Sequence, residues 1–528
     1  MSGRIAIDFG TSNTIIAIWD ETIGEGKSFH LSDYGSYYQQ GKERISIIPS
    51  LIHYSNDNRR WLGQQVRQRN LEKNDSTFRW VKRYIANRSP IKRKIHGKQI
   101  SYQNAGKDFL STLLIFATQE LNIGNEEIAF TVPVEAFEDY ENWLTEVAQT
   151  AGMSRFRLID EASAAALGYG ANIQAGDVYL IFDFGGGTLD IAVVLIEEED
   201  ISSTRRCRVL GKAGCNLGGA TIDQWLYSEV LRQTEYQDSD EEILQLSGSI
   251  LVECEQAKIR LSQQETADIT ILNPNTGGII GAEFSRSLLE DILEENGAFT
   301  DIDRAIRRAL NDARDRGYTE DNIKAVLTVG GSSQIPAIQR TLKRIFGRDK
   351  VMLSNPLDAV ARGAAAFVAG VDFYDHIQHD YALRYFNSEK GDYDYRILVK
   401  RGTNYPTENI ARLTIKASHD DQKHLGLAIF ELGQQYQSNS NNNIELVFDP
   451  NGSARLSALT PDKQEERSYF WMNEESPTFL TTNTSVKKGE KCFQVEFSID
   501  GNKRLLITAK DLKTDKLTHK NYPVIKLS

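Results

Sequence analysis

The sequence predicts a two-part chain: an α/β region over residues 1–370, then an antiparallel β domain over 384–528, joined by a connector at 371–383. Three observations carry this. Up to about residue 370, short apolar runs alternate with stretches whose apolar residues recur at helical spacing, as in layered strands and helices. Beyond residue 383 the helical spacing gives way to short alternating runs, as in half-buried strands. One segment also recurs. Ile5-Ala-Ile-Asp8-Phe9-Gly10-Thr11 to Ile18 overlays Leu180-Ile-Phe-Asp183-Phe184-Gly185-Gly186 to Val193. Each copy is an apolar strand, Asp-Phe-Gly, a turn of small residues and a second apolar strand. Two such hairpins about 175 positions apart imply two related subdomains facing a cleft.

Elements within the first region follow from spacing. Tyr140, Trp143, Leu144, Val147, Ala148 and Ala151 recur on one helical face, with Gly152 where a C-cap belongs. Ile335, Ile338, Leu342 and Ile345 repeat the pattern after Gly330-Gly331, and Pro336 suits the first turn of that helix. In the second region the strand candidates are Arg396-Ile-Leu-Val, Arg412-Leu-Thr-Ile, Leu425-Gly-Leu-Ala-Ile-Phe, Gln494-Val-Glu-Phe-Ser-Ile and Arg504-Leu-Leu-Ile-Thr. Asp500-Gly501 between the last two is a hairpin signal. A sandwich is the expected arrangement. Gln434 to Asn443, rich in Gln, Ser and Asn, is expected to be a mobile loop.

Composition bounds the function. With 528 residues, 40 % hydrophobic and 25 % charged, the chain is neither collagen-like nor wholly disordered. A net charge of −12 repels phosphate backbones, which excludes nucleic acid as the main partner. The four cysteines include no C-x-x-C pair, so neither a disulfide framework nor a structural zinc site is expected. The N-terminus has no apolar signal-peptide core, and no apolar run is long enough to span a membrane. The expectation is a reduced, cytoplasmic protein with no membrane partner.

The chemistry concentrates in three loops. In Asp8-Phe-Gly-Thr-Ser-Asn-Thr14, Gly10 permits a tight turn, while Thr11, Ser12, Asn13 and Thr14 offer hydroxyl, amide and backbone N–H groups to an anion. Asp8 at a strand end can hold Mg²⁺ through its hydration shell, since Mg²⁺ favours one or two carboxylates plus substrate phosphates. Asp183-Phe-Gly-Gly-Gly-Thr-Leu-Asp190 supplies the matching cradle with Gly185, Gly186, Gly187 and Thr188. Third, a strand runs into Gly330-Gly331-Ser332 and a helix, which lets a flat ring or phosphate lie against bare backbone. Either Asp-Phe-Gly motif alone could be ordinary turn chemistry, and Gly-Gly-Ser alone is usually just a loop. The pair, in this order with the third, is specific.

These elements resemble the actin-like ATPase superfamily of actin, sugar kinases and seventy-kilodalton heat-shock chaperones. Further segments narrow the resemblance to the chaperones. They are Asp160-Glu161-Ala-Ser-Ala-Ala-Ala-Leu-Gly-Tyr-Gly170, Phe130-Thr-Val-Pro133, Lys82-Arg83-Tyr-Ile, Cys254-Glu255-Gln-Ala-Lys258, Asn355-Pro356, Gly363-Ala-Ala-Ala, and Phe497-Ser-Ile-Asp500-Gly501 with Leu506-Ile-Thr-Ala-Lys510-Asp511. The resemblance implies an actin-like nucleotide-binding domain of two duplicated subdomains, followed by a substrate-binding β-sandwich. It implies slow hydrolysis of ATP to ADP with Mg²⁺, and binding of extended or unfolded polypeptide. J-domain or nucleotide-exchange co-chaperones are the implied partners. By the same resemblance Asp8 and Asp183 orient hydrated Mg²⁺, and Thr11 and Thr188 contact phosphate. Lys82 and Glu161 position and activate the attacking water, while Glu255, Lys258, Ser262, Gly330, Gly331 and Ser332 form the nucleoside pocket.

The sequence departs from the family pattern at several points. Gln334 stands where the family usually has an adenine-stacking Arg, and Ile259 replaces another basic residue of that pocket. Ala162 replaces a signature Pro, and Glu141 falls where an Arg usually relays the state of the Val-Pro segment. The hydrophobic Asp-Leu-Leu-Leu-Asp linker is missing from 371–383, and the chain ends at Ser528 directly after the β domain, so a lidless member is expected. Position alone makes Ile397-Leu-Val-Lys400 and the segment to Pro406 candidates for the peptide groove. Three other readings fit the same residues: an ATP-sensing scaffold with one dedicated protein partner, a small-molecule kinase of the same superfamily, and an actin-like filament.

Overall fold

The computed structural model describes residues 4–40, 43–124, 126–134, 138–169, 174–198, 205–353, 357–370, 373–374, 376–377, 379–387, 390–432, 444–449, 451–458, 469–474, 477–482, 485–500 and 503–527. Two compact units emerge. The first comprises Met1–Val134, Tyr140–Tyr374 and Ser438–Leu459; the second comprises Glu135–Asp139, Asp375–Gln437 and Thr460–Ser528.

The first unit is mixed α/β and built on two sheets of the same design. Strand Ile5–Phe9 pairs antiparallel with Asn13–Asp20 and parallel with Ile128–Val132. Strand Val178–Phe184 pairs antiparallel with Leu189–Glu198 and parallel with Ile323–Val329. Both central strands are almost wholly buried, which explains their unbroken apolar runs rather than an alternating pattern. The parallel neighbours require crossovers, and the intervening helices supply them. The outcome is that Asp8 faces Ile15 and Asp183 faces Asp190 at equivalent ends of two equivalent hairpins.

Between the sheets, helices Glu161–Gly168 and Ala359–Val368 pack against each other through small residues. A Cβ on Gly168 would collide with the Ala359 carbonyl, and one on Gly363 with the Ala164 carbonyl. The Ala-rich runs of both motifs are thus the surface of a close helix crossing. The helix expected around 140–151 spans Glu138–Thr150, and Gly152 follows with φ 78°. The helix starting at Pro336 runs to Phe346.

The expected divisions differ from the observed units in two respects. The 371–383 stretch is not a simple connector: Phe373–Tyr374 pairs parallel with strand Arg205–Cys215 of the first unit, and strand Asp380–Asn387 begins before residue 384. Residues 438–459 lie inside the expected β domain but belong to the first unit. Asn355, Pro356, Gly170, Gly501 and the Gln434–Asn443 stretch fall outside the described residues.

Among the described residues from 376 to 527 there is no helix. The second unit has one sheet ordered Asp392–Val399, Asp380–Asn387, Ile429–Leu432, Tyr469–Trp471, and another ordered Thr407–Lys416, Lys491–Ile499, Arg504–Asp511, Leu517–Lys526. Their pairings are antiparallel, and Tyr381, Leu383, Val399, Leu413, Ile429, Val495, Phe497 and Ile507 share one core. Among the described residues no helix is long and apolar enough to cross a membrane.

Candidate functional site

A cavity of about 370 Å³ opens within the first unit where the two hairpin turns meet. Asp8, Gly10, Thr11, Ser12, Asn13, Lys82, Glu161, Asp183, Gly185, Gly186, Gly187, Thr188, Glu255, Lys258, Ser262, Gly330, Gly331 and Ser332 all line it. The structure therefore brings these residues together, but Thr14, the last expected donor of the first motif, is buried away from the cavity with its hydroxyl against Ser50 Oγ. Gln334 and Ile259 line it too.

The first turn is held from beside. Ser50 Oγ donates to the Gly10 carbonyl at 2.7 Å and meets Thr14 Oγ1 at 2.9 Å, and Ser50 N donates to the Ser12 carbonyl at 2.9 Å. A Cβ on Gly10 would strike the Asn13 carbonyl oxygen, so this turn closes only around glycine. The second turn is held from behind by the start of helix Gly219–Thr234: Gly219 N donates to the Gly185 carbonyl at 3.0 Å and Ala220 N to the Gly186 carbonyl at 2.7 Å. Ser332 Oγ donates to the same Gly185 carbonyl at 2.8 Å, which ties the Gly-Gly-Ser loop to this turn. The two turns press on each other. A Cβ on Gly186 would lie 2.6 Å from Ser12 Oγ, and one on Gly187 would collide with Thr11 Oγ1. Asn13 Oδ1 is buried and has no hydrogen-bond partner among the described residues, an acceptor left over in the wall of the cavity.

At the cavity floor lies a concentration of buried charge. Lys82, on the short helix Val81–Ala86, forms an ion pair with Glu161 at the start of helix Glu161–Gly168. Thr131 Oγ1 donates to Asp8 Oδ1 at 2.7 Å. Burial raises the Asp8 carboxyl above its ordinary value, against the pull of Lys82 and the Thr131 bond. Asp183 is pushed well above the carboxylate range by burial, and then by Glu161, Asp190 and Asp8. Burial takes Glu161 up to about 8, with Lys82 opposing and Asp8 and Asp190 adding to the rise. Burial also works against the charge on Lys82, but Glu161, Tyr140 and Asp8 outweigh it, and its pKa lies above that of a free lysine. One ammonium thus faces several mutually repelling carboxyls, a donor set that suits a hydrated divalent cation. Among the described residues no three acidic, His or Cys side chains converge as a direct metal shell. Contact through water and phosphate oxygens is the arrangement these residues fit.

The side of the cavity lined by Glu255, Lys258 and Ser262 contains a pair the sequence reading missed. Lys258 Nζ lies 2.7 Å from Asp223 Oδ1 and donates to the Gly219 carbonyl at 2.9 Å. Its ammonium braces the helix start behind the second turn. Burial takes the Asp223 carboxyl up to about 6, with Lys258 opposing it. Asp190, in sequence only the end of a motif, also has a structural partner. Its Oδ1 accepts from Val134 N at 2.9 Å, which links the second hairpin to the Val-Pro segment. Arg67 also lines the cavity, and no motif pointed to it. In the second unit Ile397 is exposed on its strand, while Leu398 and Val399 are buried.

Comparison with known proteins gives a consistent result. A family model described as Hsp70 protein matches residues 4–444. The chain is 26 % identical to the chaperone protein dnaK of Guillardia theta, over 98 % of this chain and 78 % of that protein. It is 27 % identical to the chaperone protein DnaK of Mycoplasmopsis pulmonis, over 97 % and 77 %. It is 28 % identical to the chaperone protein DnaK of Deinococcus proteolyticus, over 69 % and 59 %.

Proposed function

The chain belongs to the Hsp70 protein family, and from that premise we propose that it is an ATP-dependent chaperone whose first unit binds and slowly hydrolyses ATP while its second unit holds extended polypeptide. The finer architecture in this reading is an actin-like pair of subdomains followed by a β-sandwich. The observation that carries the reading is the buried Lys82–Glu161 pair, set among Asp8 and Asp183 below two interlocking turns.

In the mechanism these residues support, the backbone N–H groups and hydroxyls of Thr11, Ser12, Asn13 and Thr188, with the bare backbone of Gly185 to Gly187, hold the phosphates. Asp8 and Asp183 would hold Mg²⁺ through its water shell, and the ion would neutralise charge on the phosphate oxygens. Lys82 and Glu161 orient the attacking water. Its oxygen bonds to the terminal phosphorus as the bond to the ADP oxygen breaks, and Glu161, whose carboxyl the positive charge of the bound ion would return to the carboxylate form, accepts the proton. Phosphoryl transfer of this kind depends mainly on positioning and electrostatics, which a rigid buried site provides. The family's Arg is replaced by Gln334, so the base is gripped by backbone and apolar contacts rather than by a stacked guanidinium.

For polypeptide, the second unit presents an exposed apolar row. Tyr393 is 59 % exposed, Phe386 56 % and Ile397 45 %, and the register puts all three on one face of the sheet. Extended peptides pair with strand edges and fill such surfaces with alternate side chains. J-domain and nucleotide-exchange proteins are the partners this reading carries, in the cytoplasm. The test is direct: the purified chain should convert ATP to ADP and phosphate and bind a labelled unfolded polypeptide. Turnover indistinguishable from buffer would overturn the ATPase reading. Phosphate transfer to a sugar would favour a kinase, and nucleotide binding without affinity for any unfolded chain would favour a scaffold.

A further inference from the structure

The hairpin of strands Ile444–Phe448 and Ala454–Ala458 is flanked in sequence by the second unit, yet it packs on the first. It is anchored at two places. The Phe448 ring, almost fully buried, lies 6.2 Å from Trp80 and 6.1 Å from Tyr84, with the Arg93 guanidinium 5.6 Å from its centre. Tyr84 Oη donates to the Leu446 carbonyl at 2.8 Å. Trp80 and Tyr84 stand on either side of Lys82: Trp80 caps helix Val81–Ala86 and Tyr84 lies within it. At the second anchor, Ala454 N donates to Ser247 Oγ at 3.0 Å and Leu456 N to Asp238 Oδ2 at 3.3 Å. Ser247 lies on helix Glu241–Leu261, which further along carries Glu255 and Lys258.

The turn between the strands is shaped for this seat. Asp449 Oδ1 accepts from Asn451 N at 2.9 Å and from Ser453 N at 3.0 Å. Gly452 has φ 98°, and a Cβ there would strike the Arg93 guanidinium, with the Asp75 carbonyl oxygen 2.5 Å away. Arg93 is itself buried and donates to the Thr77 carbonyl at 2.9 Å and to the Asp75 carbonyl. One hairpin therefore grips the helix that carries the water-positioning lysine and the helix that lines the nucleoside side. The first belongs to the insertion after the first Asp-Phe-Gly hairpin, the second to the insertion after the second. Lys73 with Glu253 at 3.1 Å and Arg83 with Thr221 at 3.0 Å also bridge these insertions, but through partly exposed side chains that contribute little.

We propose that the 444–458 hairpin is a built-in brace across the nucleotide cleft: it holds the two insertions together and sets the rate at which bound nucleotide leaves. The inference rests on the ATP-binding reading. It makes Phe448 a positioning residue, since it reaches the cavity only through the helix bearing Lys82. A release step that requires the insertions to part must first break the Phe448 seat or the bonds to Ser247 and Asp238. Loosening either end removes the brace, so the two ends are coupled rather than additive.

The experiment measures dissociation of a fluorescent ADP from the full chain, chased with unlabelled ATP, for the parent, Phe448→Ala, Ser247→Ala and the double variant. Phe448→Ala is expected to speed release about tenfold with little change in association, the usual place for affinity changes. The double variant should release no more than about twofold faster than Phe448→Ala. Tyr84→Phe, which keeps the ring and removes the bond to Leu446, covers the case in which Phe448→Ala fails to fold, and should speed release about threefold. Phe448→Tyr, keeping the ring, should release at nearly the parent rate, which a general loss of stability would not reproduce. Release from folded Phe448→Ala within twofold of the parent, or effects of the two ends that simply multiply, would overturn the brace while leaving ATP binding intact. A parent that binds no nucleotide overturns the ATP reading and the brace together.

Discussion

The two Asp-Phe-Gly hairpins share a fold position but differ in what surrounds them. Asp8 has a donor in Thr131, and Lys82 is the main charge drawing its pKa back down. Asp183 has Glu161, Asp190 and Asp8 around it, all raising its pKa, and it sits before a turn of three glycines. The first turn is rich in side-chain donors, and the second provides the empty space that receives them, since Thr11 and Ser12 occupy the room a Cβ would take on Gly187 and Gly186. The two hairpins thus share one frame and divide its tasks: one carries the hydroxyls and sits beside the Lys82 ammonium, the other provides bare backbone and the strongest excess of negative charge. A group that binds both needs phosphate for the first and a cation for the second, as a magnesium nucleotide offers.

The largest expected effect falls on the charge cluster. Glu161→Gln keeps the shape and the contact with Lys82 but removes the proposed proton acceptor. Steady-state ATP hydrolysis should fall about 10²-fold or more while nucleotide affinity changes by less than threefold. An equal loss in both would place Glu161 in binding instead.

Next come the two aspartates. Asp183→Asn and Asp8→Asn should each raise the Mg²⁺ concentration needed for half-maximal ATP binding about tenfold, measured by calorimetry across a Mg²⁺ series. In nucleotide-free protein their effects on the melting temperature should diverge. Asp183→Asn relieves mutual repulsion and should raise it, whereas Asp8→Asn weakens the Thr131 bond and the attraction to Lys82 and should lower it. Equal shifts would contradict the asymmetry.

A third test compares the equivalent glycines. Gly10→Ala should lower the melting temperature by several degrees, because its Cβ meets the Asn13 carbonyl. At Gly185 the nearest atom to a Cβ is the Thr188 carbonyl oxygen at 3.7 Å, so Gly185→Ala should shift it by about 1 °C or less. Similar losses from both would break the comparison.

The smallest effect is in pH dependence. Glu161 rises from an ordinary 4.5 to about 8 on folding. Between those values the folded protein holds more protons than the unfolded chain, so nucleotide-free stability should decline as pH rises from about 5 to 8. Glu161→Gln should flatten that decline, and Mg²⁺ with nucleotide should weaken it by adding positive charge. Denaturant melts at a series of pH values would show it, and a parent whose stability rises over this range would contradict the sign.

What the sequence revealed and what it hid follow from the range of the interactions involved. Asp8, Asp183 and the glycines around them were legible because a tight glycine turn is written in consecutive residues. Lys82 and Glu161 were found through the segments that hold them, not through each other, although 79 positions separate the partners. The Asp223–Lys258 pair was missed because two charged residues on separate helices leave no local pattern. The 444–458 hairpin was read as part of the β domain because alternating strands look alike whichever unit they pack on. Phe448 is an ordinary strand residue until Trp80 and Tyr84 surround it. The boundary near residue 374 was blurred for the same reason: Phe373–Tyr374 gains its role only by pairing with a strand that ends at Cys215.

The central claim is that the Lys82–Glu161 pair acts on water and not on the fold or on nucleotide capture. A single-turnover experiment with Lys82→Ala, loaded with ATP and Mg²⁺ and followed by phosphate release, tests it most directly. The account predicts a folded protein that binds ATP and leaves it intact, with hydrolysis slowed at least about 10²-fold relative to the parent. Hydrolysis of bound ATP at the parent rate by folded Lys82→Ala would contradict it.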